Sequence, residues 1–173
     1  MPGRLRSALL ATALAAFVVC PLAAAGSIVP GVSIDGVRLG QSAAAVRRIL
    51  GPPPGTQQGP PGSQVVRWDY TAHNSLTVLL DHGRVTSVFV STIPGRGKVL
   101  DRTAKGIGLL SRMSAVAKAY PGHCQPPQPA FKAPPGCSWQ TATARMTFQA
   151  SGRYGSGWNA PVETIQLQLI GRG

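Results

Sequence analysis

At two places along the chain apolar residues recur at helical spacing. In the first, Val46, Ile49 and Leu50 fall on one side of a segment that Ser42 can cap and that Gly51 and the following prolines stop, predicting a helix from Ala43 to Leu50. In the second, Ser111 is the expected cap, "RMSAVAKAY" the helix, and Pro121 with Gly122 its end. Both helices are too short to persist alone and must lie on another element. After each helix the period changes from helical to alternating. "QVVRWDY", "SLTVLL" and "RVTSVFV" read as strands rich in β-branched and aromatic residues, separated by "TAHN" and by "DHG", whose Gly83 suits a tight turn. "CSWQT", "ARMTFQA" and "VETIQLQLI" hold the same places after the second helix.

The two sets echo each other in sequence. An offset of 70 residues aligns Gly36 with Gly106, Val37 with Ile107, Leu39 with Leu109, Ala45 with Ala115 and Val46 with Val116, and an offset of 71 aligns Trp68 with Trp139. Self-similarity at a nearly fixed offset points to duplicated supersecondary units. The expected fold class is therefore α+β: two tandem repeats, each a short helix plus a three-stranded antiparallel meander, sharing one core or one extended sheet because either alone is marginal. "PPPGTQQGPPGSQ" and "PGHCQPPQPAFKAPPGC" read as stiff irregular loops. The expected organisation is a leader over residues 1–25, one repeat over 26–93, a basic linker over 94–104 and a second repeat over 105–173.

The leader changes the rest of the composition. Arg4 and Arg6 precede an apolar run from Ala8 to Ala25, a signal-peptide pattern with cleavage expected after Ala25, although a run of this length could also stay as an anchor. Pro21, Ala23 and Ala25 fit a processing site, and the residues before Cys20 do not fit a lipidation signal. Without the leader, 15 basic residues face 5 acidic ones, a net charge of +10. An exported basic chain meets anionic wall polymers, lipid headgroups or acidic proteins before nucleic acid, which is not an expected partner. Cys124 and Cys137 remain as a pair and are expected to form a disulfide in an oxidising compartment.

The run G-V-x-L-G-x-S-x-x-x-V-x-x-x-L-G-x-P, here Gly36 through Pro53, resembles a known superfamily when taken with the "WDY" strand and the "DHGRVTSV" hairpin. That superfamily joins the β-lactamase inhibitory protein to the small lipoprotein of the outer-membrane β-barrel assembly machine. The resemblance is specific over about twenty residues of the first copy, and the second copy departs from it at Leu110 and Arg112. It implies a non-enzymatic protein-binding module that uses a concave sheet surface. No inhibitor contact carries over, because no contact motif matches.

Chemistry-bearing patterns do not overturn this reading. Neither a nucleophile elbow nor a phosphate-cradling loop is present, and five acids are scattered too widely to suggest an acid and base pair. His73 and His82 lie in predicted hairpin loops at opposite ends of one strand, and His123 adjoins a disulfide cysteine, so no metal or cofactor is expected. Two binding surfaces are candidates. One is the connection "SGRYGSGWNAP" with Arg153, Tyr154 and Trp158; the other is a sheet face, with Val66, Trp68 and Tyr70 on one side of the strand and Val65, Arg67 and Asp69 on the other. The expected function is a secreted, non-enzymatic, inhibitor-like module binding an envelope or extracellular protein. The alternative is retention on an anionic wall polymer or lipid through Arg96, Lys98, Arg102 and Lys105.

Overall fold

The structure is a computed structural model that describes residues 28–71, 74–92, 102–126, 135–150 and 157–170. In chain order the elements are β1 (Ile28–Val29), β2 (Ser33–Ile34), β3 (Val37–Arg38), α1 (Ala43–Leu50), β4 (Gly55–Gln58), β5 (Ser63–Thr71), β6 (Asn74–Asp81) and β7 (Arg84–Thr92). These are followed by α2 (Met113–Ala119), β8 (His123–Gln125), β9 (Gly136–Gln140), β10 (Ala144–Ala150) and β11 (Val162–Leu169). Strands β4 to β11 form one antiparallel sheet in the order β4-β5-β6-β7-β11-β10-β9-β8, while β1, β2 and β3 form a separate three-stranded ribbon.

This corrects the expected fold of two tandem repeats, each a helix with a three-stranded meander. The chain is mostly β, and strands β4 to β11 of both halves make a single eight-stranded sheet rather than two units. The join is the pairing of β7 with β11, where Val90 faces Ile165 and Val88 faces Leu167. A three-stranded sheet ending at either strand would leave those apolar rows at an open edge, so pairing them makes the interior continuous. The proline-rich segments are also not wholly irregular. Each contributes an edge strand, with Gly55 opposite Arg67 and Cys124 opposite Cys137. An edge position asks for hydrogen bonds on one side only, which is why strands bounded by prolines are tolerated there.

What the offset of 70 encodes is the approach to each helix. Gly40 at φ 79° and Leu110 at φ 63° are both left-handed. Their amides donate to Val85 O at 2.7 Å and Val162 O at 2.8 Å, and the amides of Val85 and Val162 donate in return to Gln41 O at 2.9 Å and Ser111 O at 2.8 Å. The helix starts then diverge. Ser42 caps α1 by accepting from the Ala45 amide at 3.3 Å. Ser111 instead accepts from the Gly108 amide at 3.0 Å, so the expected second cap is corrected to Arg112, whose side chain makes no capping bond.

One core joins all of this. Leu76, Val78, Val88, Val90, Met146, Phe148, Ile165 and Leu167 line one face of the sheet, and Val46 of α1, Met113 and Val116 of α2, and Ile28, Ile34 and Val37 of the ribbon cover it. Tyr120 stacks on Phe148 with ring centroids 5.5 Å apart.

Candidate functional site

Directly opposed residues of neighbouring strands share a face, so the register sorts the sheet into two surfaces. The covered face runs through Val66, Val78, Val88, Leu167, Met146 and Trp139. The opposite face carries Arg67 and Val65 of β5, Ser75, Thr77 and Leu79 of β6, Ser87, Phe89 and Ser91 of β7, Thr164, Gln166 and Gln168 of β11, and Arg145, Thr147 and Gln149 of β10. Among the described residues, both helices and the ribbon bury their apolar side chains against the first face, leaving the second open.

The open face is a layer of hydroxyls and amides around one aromatic ring. Phe89 is half-buried between Thr77 and Gln166 on the neighbouring strands. Around it, Ser75 and Ser91 exchange a hydroxyl bond of 3.1 Å, Ser87 donates to Leu167 O at 3.0 Å, and Gln166 Nε2 reaches Gln168 Oε1 at 3.1 Å. Arg145 donates to Gln140 Oε1 at 3.3 Å further along. A shallow groove of about 540 Å³ lies at the β4 end of this face, between Pro54 and Gln57 on one side and Val65, Arg67 and Thr77 on the other. Side chains held by their neighbours in this way present fixed donors and acceptors, so a partner pays little to order them.

The residues singled out from sequence are distributed differently from that expectation. Trp68 is only 7 % exposed and lies on the covered face, so it is part of the core and cannot serve as a surface anchor. Trp158 is half-buried and packs against the same core, with its carbonyl accepting from the Ser114 amide of α2 at 2.8 Å. The Tyr70 side chain, Arg153, Tyr154, Arg96, Lys98 and His73 lie outside the described residues, as does the leader over 1–25.

The two described members of the basic set bind local carbonyls. Arg102 donates to Gly106 O at 2.7 Å, and Lys105 donates to Ala119 O at 2.6 Å while sitting 4.8 Å from the Tyr120 ring centre. Lys105 thus serves the carboxyl end of α2, where a cation is favoured by the exposed carbonyls. Cys124 and Cys137 form the expected disulfide, tying edge strand β8 to β9. His82 pairs with Asp81 at 2.8 Å in the β6–β7 turn, His123 is exposed on β8, and no three potential metal ligands lie together among the described residues.

Phe89 and its polar surround were not singled out from sequence, yet a signal for them existed. In "TIQLQL" the glutamines alternate strictly with apolar residues, which marks a strand with one dry and one wet face. Phe89 was masked by its neighbours Val88 and Val90, which read as a continuous apolar run.

Comparison with known proteins places the architecture. No protein-family model matches the chain, and no curated protein matches it in sequence. Among solved structures, the fold is similar to an extracellular protein containing a SCP domain from Bacillus anthracis, with a TM-score of 0.52 and 8 % identity over 75 % of this chain and 43 % of that one. It is also similar to a cysteine-rich secretory protein from Staphylococcus aureus, with a TM-score of 0.50 and 8 % identity over 75 % of this chain and 44 % of that one. The chain therefore spans less than half the length of either neighbour. These neighbours overturn the resemblance to the β-lactamase inhibitory protein and the assembly-machine lipoprotein. The motif from Gly36 to Pro53 specifies a left-handed turn at Gly40, a cap at Ser42 and a stop at Gly51, a local device that different folds can share.

Proposed function

We propose that this chain is an exported, non-catalytic interaction module that binds an envelope or extracellular protein through the open face of its eight-stranded sheet. The observation that carries the reading is that face itself: a continuous pre-ordered layer of hydroxyl and amide groups around Phe89, with every described covering element on the other side. Half-buried aromatic rings within a rim of satisfied polar groups are characteristic of binding surfaces. Export is supported by the disulfide, which persists in oxidising compartments, and by the extracellular and secretory descriptions of the two neighbours.

Affinity capture with the disulfide-bonded chain from Gly26 tests this, using envelope and secreted fractions at low and high salt. The expected result is a defined protein that is retained at high salt and lost when Phe89→Ala and Gln166→Ala are introduced. Retention that is unaffected by both substitutions would remove the open face as the binding surface.

A further inference from the structure

The layer formed by α1 and the ribbon on the covered side of the sheet has an outward side of unusual composition. Arg38, Arg47, Arg48 and Arg84 are all exposed, and none of the four is in an ion pair among the described residues. All four lie on α1, on the β3 strand that leads into it, or against the turn at Gly40 between them. A Cβ on Gly36 would lie 3.5 Å from Ile49 Cγ2, so the start of β3 abuts the end of α1, while Gly40, just beyond β3, leads into the helix cap. The ribbon strand carrying Arg38 therefore lies next to α1, a helix about 12 Å long. Arg84 donates from Nη1 to Gly40 O at 3.1 Å at the start of that helix, and Arg47 and Arg48 occupy its last turn. The nearby acids are few: Asp81 is paired with His82, and Asp35 is buried.

Apolar side chains share this surface. The large hydrophobic residues exposed among the described ones are Val29, Val32, Ile49 and Leu169, and three of the four fall in this layer. In the ribbon, the exposed Val29 and Arg38 flank the buried Ser33 as successive cross-strand partners, on the side opposite Ile28, Ile34 and Val37. Ile49, 46 % exposed, stands directly after Arg47 and Arg48. Helix-end electrostatics account for Arg47 and Arg48. They do not account for Arg38, Arg84 or the exposed Val29 and Ile49.

We propose that this outer face is a docking surface for an anionic phospholipid bilayer, with the guanidinium groups on headgroup phosphates and Ile49, Val29 and Val32 entering the interfacial layer. Guanidinium forks match phosphate oxygens, and interspersed apolar side chains distinguish a lipid surface from a soluble polyanion. Among the described residues no helix is long and apolar enough to cross a membrane, so this contact is peripheral. It uses the side of the molecule opposite the open sheet face and does not depend on the function proposed for that face.

The test is vesicle co-sedimentation of the disulfide-bonded chain from Gly26, which contains every described element. Vesicles of neutral phosphatidylcholine are compared with the same vesicles containing phosphatidylglycerol. The chain is expected to bind the anionic vesicles and not the neutral ones, and to lose affinity as salt rises. Each base near an anionic surface is worth ~1 kcal/mol, or about fivefold in affinity. The triple substitution R38Q/R47Q/R48Q, which leaves the Arg84 bond to Gly40 intact, should therefore weaken binding by about 100-fold.

R67Q/R145Q removes two charges from the opposite, open face of the sheet and should cost less than about fivefold. V29S/I49S should weaken vesicle binding several-fold at unchanged charge. Equal losses per charge removed in R38Q/R47Q/R48Q and in R67Q/R145Q would overturn the proposal in favour of net charge, and so would absence of binding to the anionic vesicles. If V29S/I49S is without effect and soluble polyphosphate binds as well as vesicles do, the ligand is a polymer and the proposal fails. Circular dichroism and an intact disulfide confirm that each variant is folded, and F89A should leave vesicle binding unchanged.

Discussion

Gly31 of the β1–β2 turn and Trp139 of β9 lie in opposite halves of the chain and touch. A Cβ built on Gly31 would come within 2.6 Å of Trp139 Cζ3 and 2.9 Å of Thr141 Cγ2, and Gly31 is itself left-handed at φ 73°. Near the start of β1, the Ile28 amide also donates to Arg102 O at 3.2 Å. The ribbon is therefore a strap from the beginning of the described chain onto the second half. Gly31→Ala should destabilise the fold by about 1–3 kcal/mol, since both the backbone angle and the ring contact must yield. Urea denaturation followed by tryptophan fluorescence measures this, and an unchanged midpoint would show that the strap is not needed for stability.

The disulfide holds the short edge strand β8 in place. Its 13-residue separation corresponds to a stabilisation of ~3 kcal/mol by loop closure. Replacing both Cys124 and Cys137 by alanine should lower stability by about 2–4 kcal/mol, with the earliest gain in amide exchange at His123–Gln125. Hydrogen exchange with and without reductant would show whether the loss begins at that edge.

The two helices predict opposite responses to a change at their first turns. Ser42→Ala removes the side-chain acceptor for the Ala45 amide and should cost ~1 kcal/mol. Arg112→Ser supplies a capping hydroxyl where α2 has none, with the backbone already extended at φ −66° and ψ 140°, and should add about 0.5–1 kcal/mol. Thermal denaturation of both variants checks the signs.

Trp68 and Phe89 are aromatic residues on opposite faces of one sheet, and their substitutions should separate stability from binding. Trp68→Ala should cost about 3–5 kcal/mol as a core truncation. Trp68→Phe should cost far less, because the buried indole Nε1 has no hydrogen-bond partner among the described residues. Phe89→Ala should leave the denaturation midpoint within about 1 kcal/mol while abolishing protein capture. A large stability loss at Phe89 would mean that the open face is covered in the folded protein.

By itself the sequence determined the local elements. The Ser42 cap, the stop at Gly51, the "DHG" turn in which His82 and Gly83 both take positive φ, and the strict alternation in "TIQLQL" are set by interactions within a few residues, which a reader of the chain can see. The disulfide was legible for a similar reason, since only two cysteines follow the leader.

Tertiary structure alone decided which strands pair across the halves and which face is covered. The pairing of Val90 with Ile165 joins residues far apart in sequence, and alternation is the same whichever face of a strand turns inward. Trp68 shows the consequence: its position on β5 was evident, yet its place in the core rather than on a binding surface depends on where α1, α2 and the ribbon settle. Leu110 shows the reverse pressure. Nothing local favours a left-handed leucine, and it holds φ 63° because its amide and that of Val162 complete the same hydrogen-bond pair that Gly40 makes with Val85. Local chemistry proposes elements at short range, and burial of a shared apolar surface selects among their arrangements, because that surface exists only once the strands have met.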